Sequence, residues 1–284
     1  MPVERINFYS ETLETETGFL IVRPEQGRGP LPAVLLLRAA PWEWLNPRQD
    51  EHRQGRNLLT VIEDLIDKGY CRPLAFILPQ TCNDAETAFV ASGQALRPDL
   101  IADQRGLGNC RIDAFFDQEL LPRAFAGGLV ADRLAIDGFS LGGAAALYHA
   151  LRRPERFVSV GSFDGAFLEW RFDNPLLSPE TPSDLRFDEF PYLYGFPPDE
   201  AAFRHSNVLD LLQRPYSLPP AMIHYAAAEH PTANGWRVRA VLAAGNLHNH
   251  AEVPNMHPAS QHSWYWADEH LYRTLPFHAR HLYA

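Results

Sequence analysis

Gly138-Phe139-Ser140-Leu141-Gly142, followed by Gly143, is a G-x-S-x-G pentapeptide. A serine in this pattern is a nucleophile when the chain turns sharply at it from a strand into a helix. Both flanks read that way. Residues 133–139, RLAIDGF, suit a buried strand, and 144–151 is a run of small and apolar residues suited to a helix. So tight a turn needs neighbours without a Cβ, and it holds the serine in a strained backbone conformation. The Leu141 N–H then opens a helix, where it can donate to an oxyanion. The bland alternative is an ordinary glycine-rich turn with a bystander serine.

A serine needs a base, and the base needs an orienting acid. In this strand–turn–helix setting they follow in the chain order serine, acid, histidine. The chain has 12 histidines. A base belongs in the loop after the last strand, which selects His257 and His262. His262 is favoured because it immediately precedes the closing aromatic helix, whose opening Ser263-Trp264-Tyr265-Trp266 would pin the loop. His270, His278 and His281 read as helix-surface residues. The acid belongs at the end of the preceding strand, 221–227, which runs into Glu229. Asp164, ending the strand 156–163, is the alternative acid. Asp137 sits too close to the elbow to orient the base and reads as a structural hydrogen bonder. A second oxyanion donor would come from the loop after the strand 31–37, from the N–H of Ala40 or Ala39, since Pro41 has none. Trp42 and Trp44 could wall an acyl pocket or simply pack on the sheet edge.

These residues need a sheet that presents several strand ends together. Residues 31–37 and 73–79 are continuous apolar runs of the kind found in strands buried on both faces. Residues 56–68 place Leu58, Leu59, Ile62, Leu65 and Ile66 on one helical stripe, stopped by Gly69. Residues 3–25 read as edge strands or a hairpin, 111–125 as a helix interrupted by Pro122, 235–244 as a helix and 248–253 as a strand. Residues 263–282 read as a helix bent or broken near Pro276. Strands alternating with helices predict an α/β fold, a mostly parallel central sheet with helices on both faces. The rhythm fails at 165–219. That stretch is rich in proline and aromatic residues, and it predicts an ordered lid-like insertion before the acid-bearing strand, with Phe167 and Trp170 as further pocket candidates. The whole chain, 1–284, is read as a single domain.

The chain resembles the putative-esterase branch of the α/β-hydrolase superfamily, which includes S-formylglutathione hydrolases, feruloyl esterases, enterochelin esterases and mycolyltransferases. The resemblance rests on LPAVLLLRAAPWEW, on the elbow DGFSLGGAAAL followed by RRPERFVSVGSFDG, and on the ending QHSWYWADEHLYRTLPF. It implies that His262 is the general base and that Glu229 matches the family acid. Where such proteins often carry His-Gly at the oxyanion loop, this chain has Arg38-Ala39.

The function that follows is a serine carboxylic-ester hydrolase working through an acyl-enzyme on a small or medium acyl ester, with a Ser140–His262–Glu229 triad and no cofactor. An acyltransferase using the same triad with an alcohol acceptor is the alternative. A non-catalytic or His-rich metal-binding domain is a third reading, since His248 and His250 alternate along one strand face. No metal site is expected, because no carboxylate or cysteine completes a recognisable spacing. The charge of −10, from 35 acids against 25 bases, disfavours nucleic acid and anionic membranes as partners. A small-molecule ester remains as partner, with a homodimer one open assembly. The three cysteines are neither a disulfide framework nor a zinc cluster. The N-terminus lacks a basic start followed by an apolar core, and the apolar runs fall far short of the ~20 residues a membrane helix needs. The cytoplasm is the expected compartment.

Overall fold

The computed structural model describes residues 1–25, 29–38, 40–80, 112–128, 130–165, 208–212, 218–228, 251–252 and 257–284. Most of the 165–219 insertion, the 235–244 helix and all but two residues of the 248–253 strand lie outside the described residues, as do Phe167 and Trp170.

Among the described residues, eight strands form one sheet: β1 (Val3–Ser10), β2 (Thr15–Val22), β3 (Leu31–Leu37), β4 (Ala75–Gln80), β5 (Val130–Gly138), β6 (Phe157–Phe163), β7 (Ala221–His224) and β8 (Ala251–Glu252). Their order is β1-β2-β4-β3-β5-β6-β7-β8. The hairpin expected in 3–25 is β1 and β2, and it joins β4 antiparallel. All other neighbours are parallel. Six helices accompany them among the described residues: α1 (Leu58–Asp67), α2 (Ile112–Phe115), α3 (Leu121–Ala126), α4 (Leu141–Arg152), α5 (Val208–Leu212) and α6 (Trp264–Leu282).

Strand alternation divides the core into two layers. Ala33, Leu35, Ile77, Ile136 and Val160 face one way, where they pack with residues of α2 to α5. Val34, Leu36, Phe76, Leu78, Ala135 and Phe139 face the other way, toward α1 and α6. Burial on both faces is why β3 and β4 read as unbroken apolar runs rather than alternating ones.

Two proline expectations need correcting. Pro122 does not break its helix, because a π-helical turn, Phe116–Leu120, carries the chain into α3 with the proline in its first turn. Pro276 does not break α6 either, which runs for 19 residues. Proline in a helix costs about 3 kcal/mol. Here both halves are pinned to the same layer by buried Leu271 and Leu275 on one side and Ala279 and Leu282 on the other.

The topology selects a place for chemistry. From β3 the chain moves to β4 on one side, whereas β5 lies on the other side of β3. Such a switch point leaves a crevice above the strand ends where ligands bind. Arg38, just past β3, and the elbow at Ser140, just past β5, leave the sheet there.

The loop between β3 and α1 is strapped to α6. Arg53 is fully buried against Asp268, with its Nε and Nη2 donating to the two carboxylate oxygens at 3.0 and 2.9 Å. Its other N–H groups reach the carbonyls of Glu43 (2.6 Å), Asn46 (2.8 Å) and Trp44 (2.9 Å). All five guanidinium donors are thereby used. The same loop supplies the cap for α6: Trp264 N–H donates to Asp50 Oδ2 at 2.7 Å.

Candidate active site

Ser140 has φ 58 and ψ −120, a left-handed backbone that a residue with a Cβ occupies only under strain. Local packing enforces it. A Cβ on Gly142 would stand 2.1 Å from the Leu37 carbonyl oxygen, and one on Gly138 would stand 2.2 Å from the Gly142 oxygen. The end of β3 and the first turn of α4 therefore press on the turn from both sides. Ser140 N–H donates to the Phe163 carbonyl at 2.9 Å, which ties the elbow to the end of β6. Leu141 begins α4, so its N–H belongs to the set that has no partner within a helix.

Asp164, one residue past β6, is also held at positive φ, 44. Its N–H donates to the His224 carbonyl at 2.9 Å, and its Oδ1 accepts from Ala226 N–H at 3.1 Å. Its Oδ2 lies 2.5 Å from His262 Nδ1. The carboxylate accepts only, so Nδ1 carries the proton and Nε2 presents its lone pair. The Asp164 side chain is 5% exposed and that of His262 37%, so the acid is sealed while the imidazole remains reachable. The His262 ring lies 4.7 Å from the ring of Phe139, the residue just before Ser140.

The loop carrying His262 is laced to β7. Ser260 Oγ accepts from Ala227 N–H at 2.9 Å and donates to the Tyr225 carbonyl at 3.2 Å, while Ala228 N–H donates to the Ser260 carbonyl at 2.8 Å. The imidazole of His262 thus joins the buried carboxylate past the end of β6 and faces the ring just before the elbow serine past the end of β5, the neighbouring strand.

The family profile described as "Putative esterase" matches residues 10–173, more than half of the chain. The chain belongs to the putative esterase family. It is an esterase with the α/β-hydrolase fold. Among solved structures this esterase is similar to a ferulic acid esterase, with 16% identity over 98% of both chains and a TM-score of 0.67. It is similar to an S-formylglutathione hydrolase from Agrobacterium tumefaciens, with 20% identity, 99% and 95% coverage and a TM-score of 0.69. It is also similar to the enterobactin esterase of Shigella flexneri, with 18% identity and a TM-score of 0.64; here all of the esterase aligns with 61% of the longer chain. No curated protein sequence matches it.

Other expected site residues sit differently in the esterase. Glu229 and Ala39 lie outside the described residues. Ala40 is not a free donor, because its N–H goes to Glu43 Oε2 at 2.8 Å. Arg38 Nε lies 3.5 Å from the same Glu43 carboxylate, and its guanidinium rests over Phe139 at 4.9 Å. Trp44 is a core residue packed edge-on to Trp264 at 4.9 Å, and Trp42 is half-buried. His257 stacks on Trp266 at 5.7 Å, while His248 and His250 lie outside the described residues. No cluster of metal-ligating side chains occurs among the described residues, and no described helix is long and apolar enough to cross a membrane.

His270 and His278 overturn the surface reading. Both are fully buried. Their Nε2 atoms lie 2.9 and 3.1 Å from the two oxygens of Asp137, which also accepts Gly138 N–H at 2.7 Å. Burial would favour the protonated Asp137 carboxyl, but the pull of His270 and the two imidazole donors outweigh it and hold the group well below the ordinary carboxylate range. A Cβ on Gly161 would fall 2.3 Å from the Asp137 carboxyl carbon, so the glycine opposite exists to admit this carboxylate. Sequence reasoning missed Ser260 and Asp50 altogether. Nothing in their local pattern distinguishes them from loop polar residues.

Proposed function

We propose that this esterase hydrolyses a small-molecule carboxylic ester with a Ser140–His262–Asp164 triad. The observation that carries the reading is the 2.5 Å contact between Asp164 and His262 Nδ1, beside a serine held at φ 58. Asp164 takes the acid role in place of Glu229. Ser140 Oγ attacks the ester carbonyl carbon while His262 Nε2 accepts the hydroxyl proton. The tetrahedral oxyanion receives the Leu141 N–H, with Ala39 as second donor because Glu43 occupies the N–H of Ala40. Collapse breaks the carbon–alkoxide bond, and the departing alkoxide takes the proton from His262. Water then attacks the acyl-serine, passing its proton through His262 back to Ser140 and releasing the acid. The similar structures are named for ferulic acid, S-formylglutathione and enterobactin, which supports an acyl group of small to medium size.

A fluorophosphonate probe should label Ser140 alone, and Ser140→Ala should abolish p-nitrophenyl acetate hydrolysis while leaving the circular dichroism unchanged. Turnover retained in Ser140→Ala would reject the mechanism.

A further inference from the structure

The buried imidazoles of His224 and His270 take no part in the chemistry above, yet they connect its two halves. We propose that the His224–His270 pair is a positioning device that holds the acid-bearing end of the sheet in register with the helix that follows the base, and so sets the Asp164–His262 contact. This rests on the triad reading.

The connection can be followed bond by bond. His224 closes β7, and its carbonyl accepts the N–H of Asp164 at 2.9 Å. Two residues on, Ala226 N–H holds Asp164 Oδ1. The end of β7 is therefore what keeps Asp164 at its positive φ. The side chain of His224 points to the α6 layer, where its Nδ1 lies 2.7 Å from Nδ1 of His270 on α6. His270 Nε2 is anchored in turn on Asp137 Oδ1, on the strand that leads into the elbow. The His270 ring stacks on Phe163 at 5.6 Å, the residue before Asp164. His262 stands two residues before the start of α6, so acid and base are joined twice, once directly and once through the buried pair.

Proton positions follow from the acceptors. Asp137 accepts only, so His270 Nε2 donates to it. His224 is neutral, its basicity pushed down to about 2 with burial as the largest cause. The arrangement that leaves no buried N–H without an acceptor has His224 Nδ1–H donating to His270 Nδ1. His224 Nε2, buried and without a partner among the described residues, is then a bare lone pair. The pair is a single directed N–H···N bond between two side chains that are each fully buried. A small error in placing a catalytic group can cost about a hundredfold in rate.

His224→Leu removes the bond at similar volume, and His224→Asn keeps a donor near the Nδ1 position. With p-nitrophenyl acetate as substrate, His224→Leu should lower kcat about tenfold or more with KM unchanged within about twofold, and His224→Asn should recover most of the loss. Leu275→Ala, a cavity in α6 away from the pair, is the stability control and should keep kcat. If His224→Leu does not fold, His270→Gln serves, since its amide retains the donor to Asp137 but loses the acceptor for His224. Wild-type kcat in the folded variant, or a loss no larger than that in Leu275→Ala, overturns the proposal. Failure of the wild type to turn over ester or take the fluorophosphonate label would instead sink the triad reading itself.

Discussion

Asp164→Asn tests the acid most sharply, because the surrounding bonds dictate how the amide must sit. Oδ1 accepts from Ala226 N–H, so the amide oxygen must stay on that side. The NH2 group then falls at the Oδ2 position, 2.5 Å from His262 Nδ1. Two donors cannot share that contact, so the imidazole must move its proton to Nε2 and lose the lone pair that would take the proton of Ser140. The same replacement in a serine-protease triad costs about 10⁴ in kcat. That corresponds to about 5.5 kcal/mol of barrier. The variant keeps its volume and its backbone bond to His224, so the fold should survive. We expect p-nitrophenyl acetate hydrolysis to fall by roughly 10³ to 10⁴ in kcat with KM changed only a few-fold. Glu229→Gln should remain close to wild type. Activity of Asp164→Asn within about tenfold of wild type, or a larger loss in Glu229→Gln, would refute the reasoning and return the acid role to Glu229.

Arg53→Leu would leave Asp268 buried without its cation, and breaking such a pair costs about 3–5 kcal/mol. A fall in Tm of about 10 °C is expected, at about 2–4 °C per kcal/mol for a chain of this size class. A change under about 2 °C in a thermal melt would show that the strap between the β3–α1 loop and α6 is not under load. The buried imidazole of His224 adds a pH dependence of known sign. Its folded-state pKa is about 2 against an ordinary 6.5, so the unfolded chain takes up a proton first as pH falls. Its contribution is complete above about pH 6.5 and declines below it, by about 2 kcal/mol by pH 5. The depressed carboxyl of Asp137 acts in the same direction below about pH 4. Urea midpoints between pH 8 and 5 should fall for the wild type and flatten in His224→Leu; equal slopes would contradict the assignment.

Much of the framework is local and was therefore legible. The elbow announces itself because a tight strand-to-helix turn needs glycines at fixed offsets from the serine. β3 and the apolar stripe of α1 announce themselves through periodicity. His262 could be nominated by its place just before an aromatic helix, and Asp164 by its place at a strand end. Pro276 misled because its cost is local, whereas the packing that overrides it comes from the sheet. His270 and His278 misled for a related reason. Histidines on a helix read as solvated until a facing strand is known to supply a carboxylate, and Asp137 is 133 residues from His270.

The sequence by itself determined the elbow serine of the G-x-S-x-G turn, the strand and helix that strain it, and the parallel α/β class. These depend on residue size and on spacing along a few turns of chain. Only the tertiary structure decided which carboxylate meets His262, that Glu43 takes the Ala40 N–H, and that Asp137 gathers two buried imidazoles. Asp164 and His262 are 98 residues apart. Their contact depends on how β6, β7 and α6 stack against one another, and no local period encodes that register.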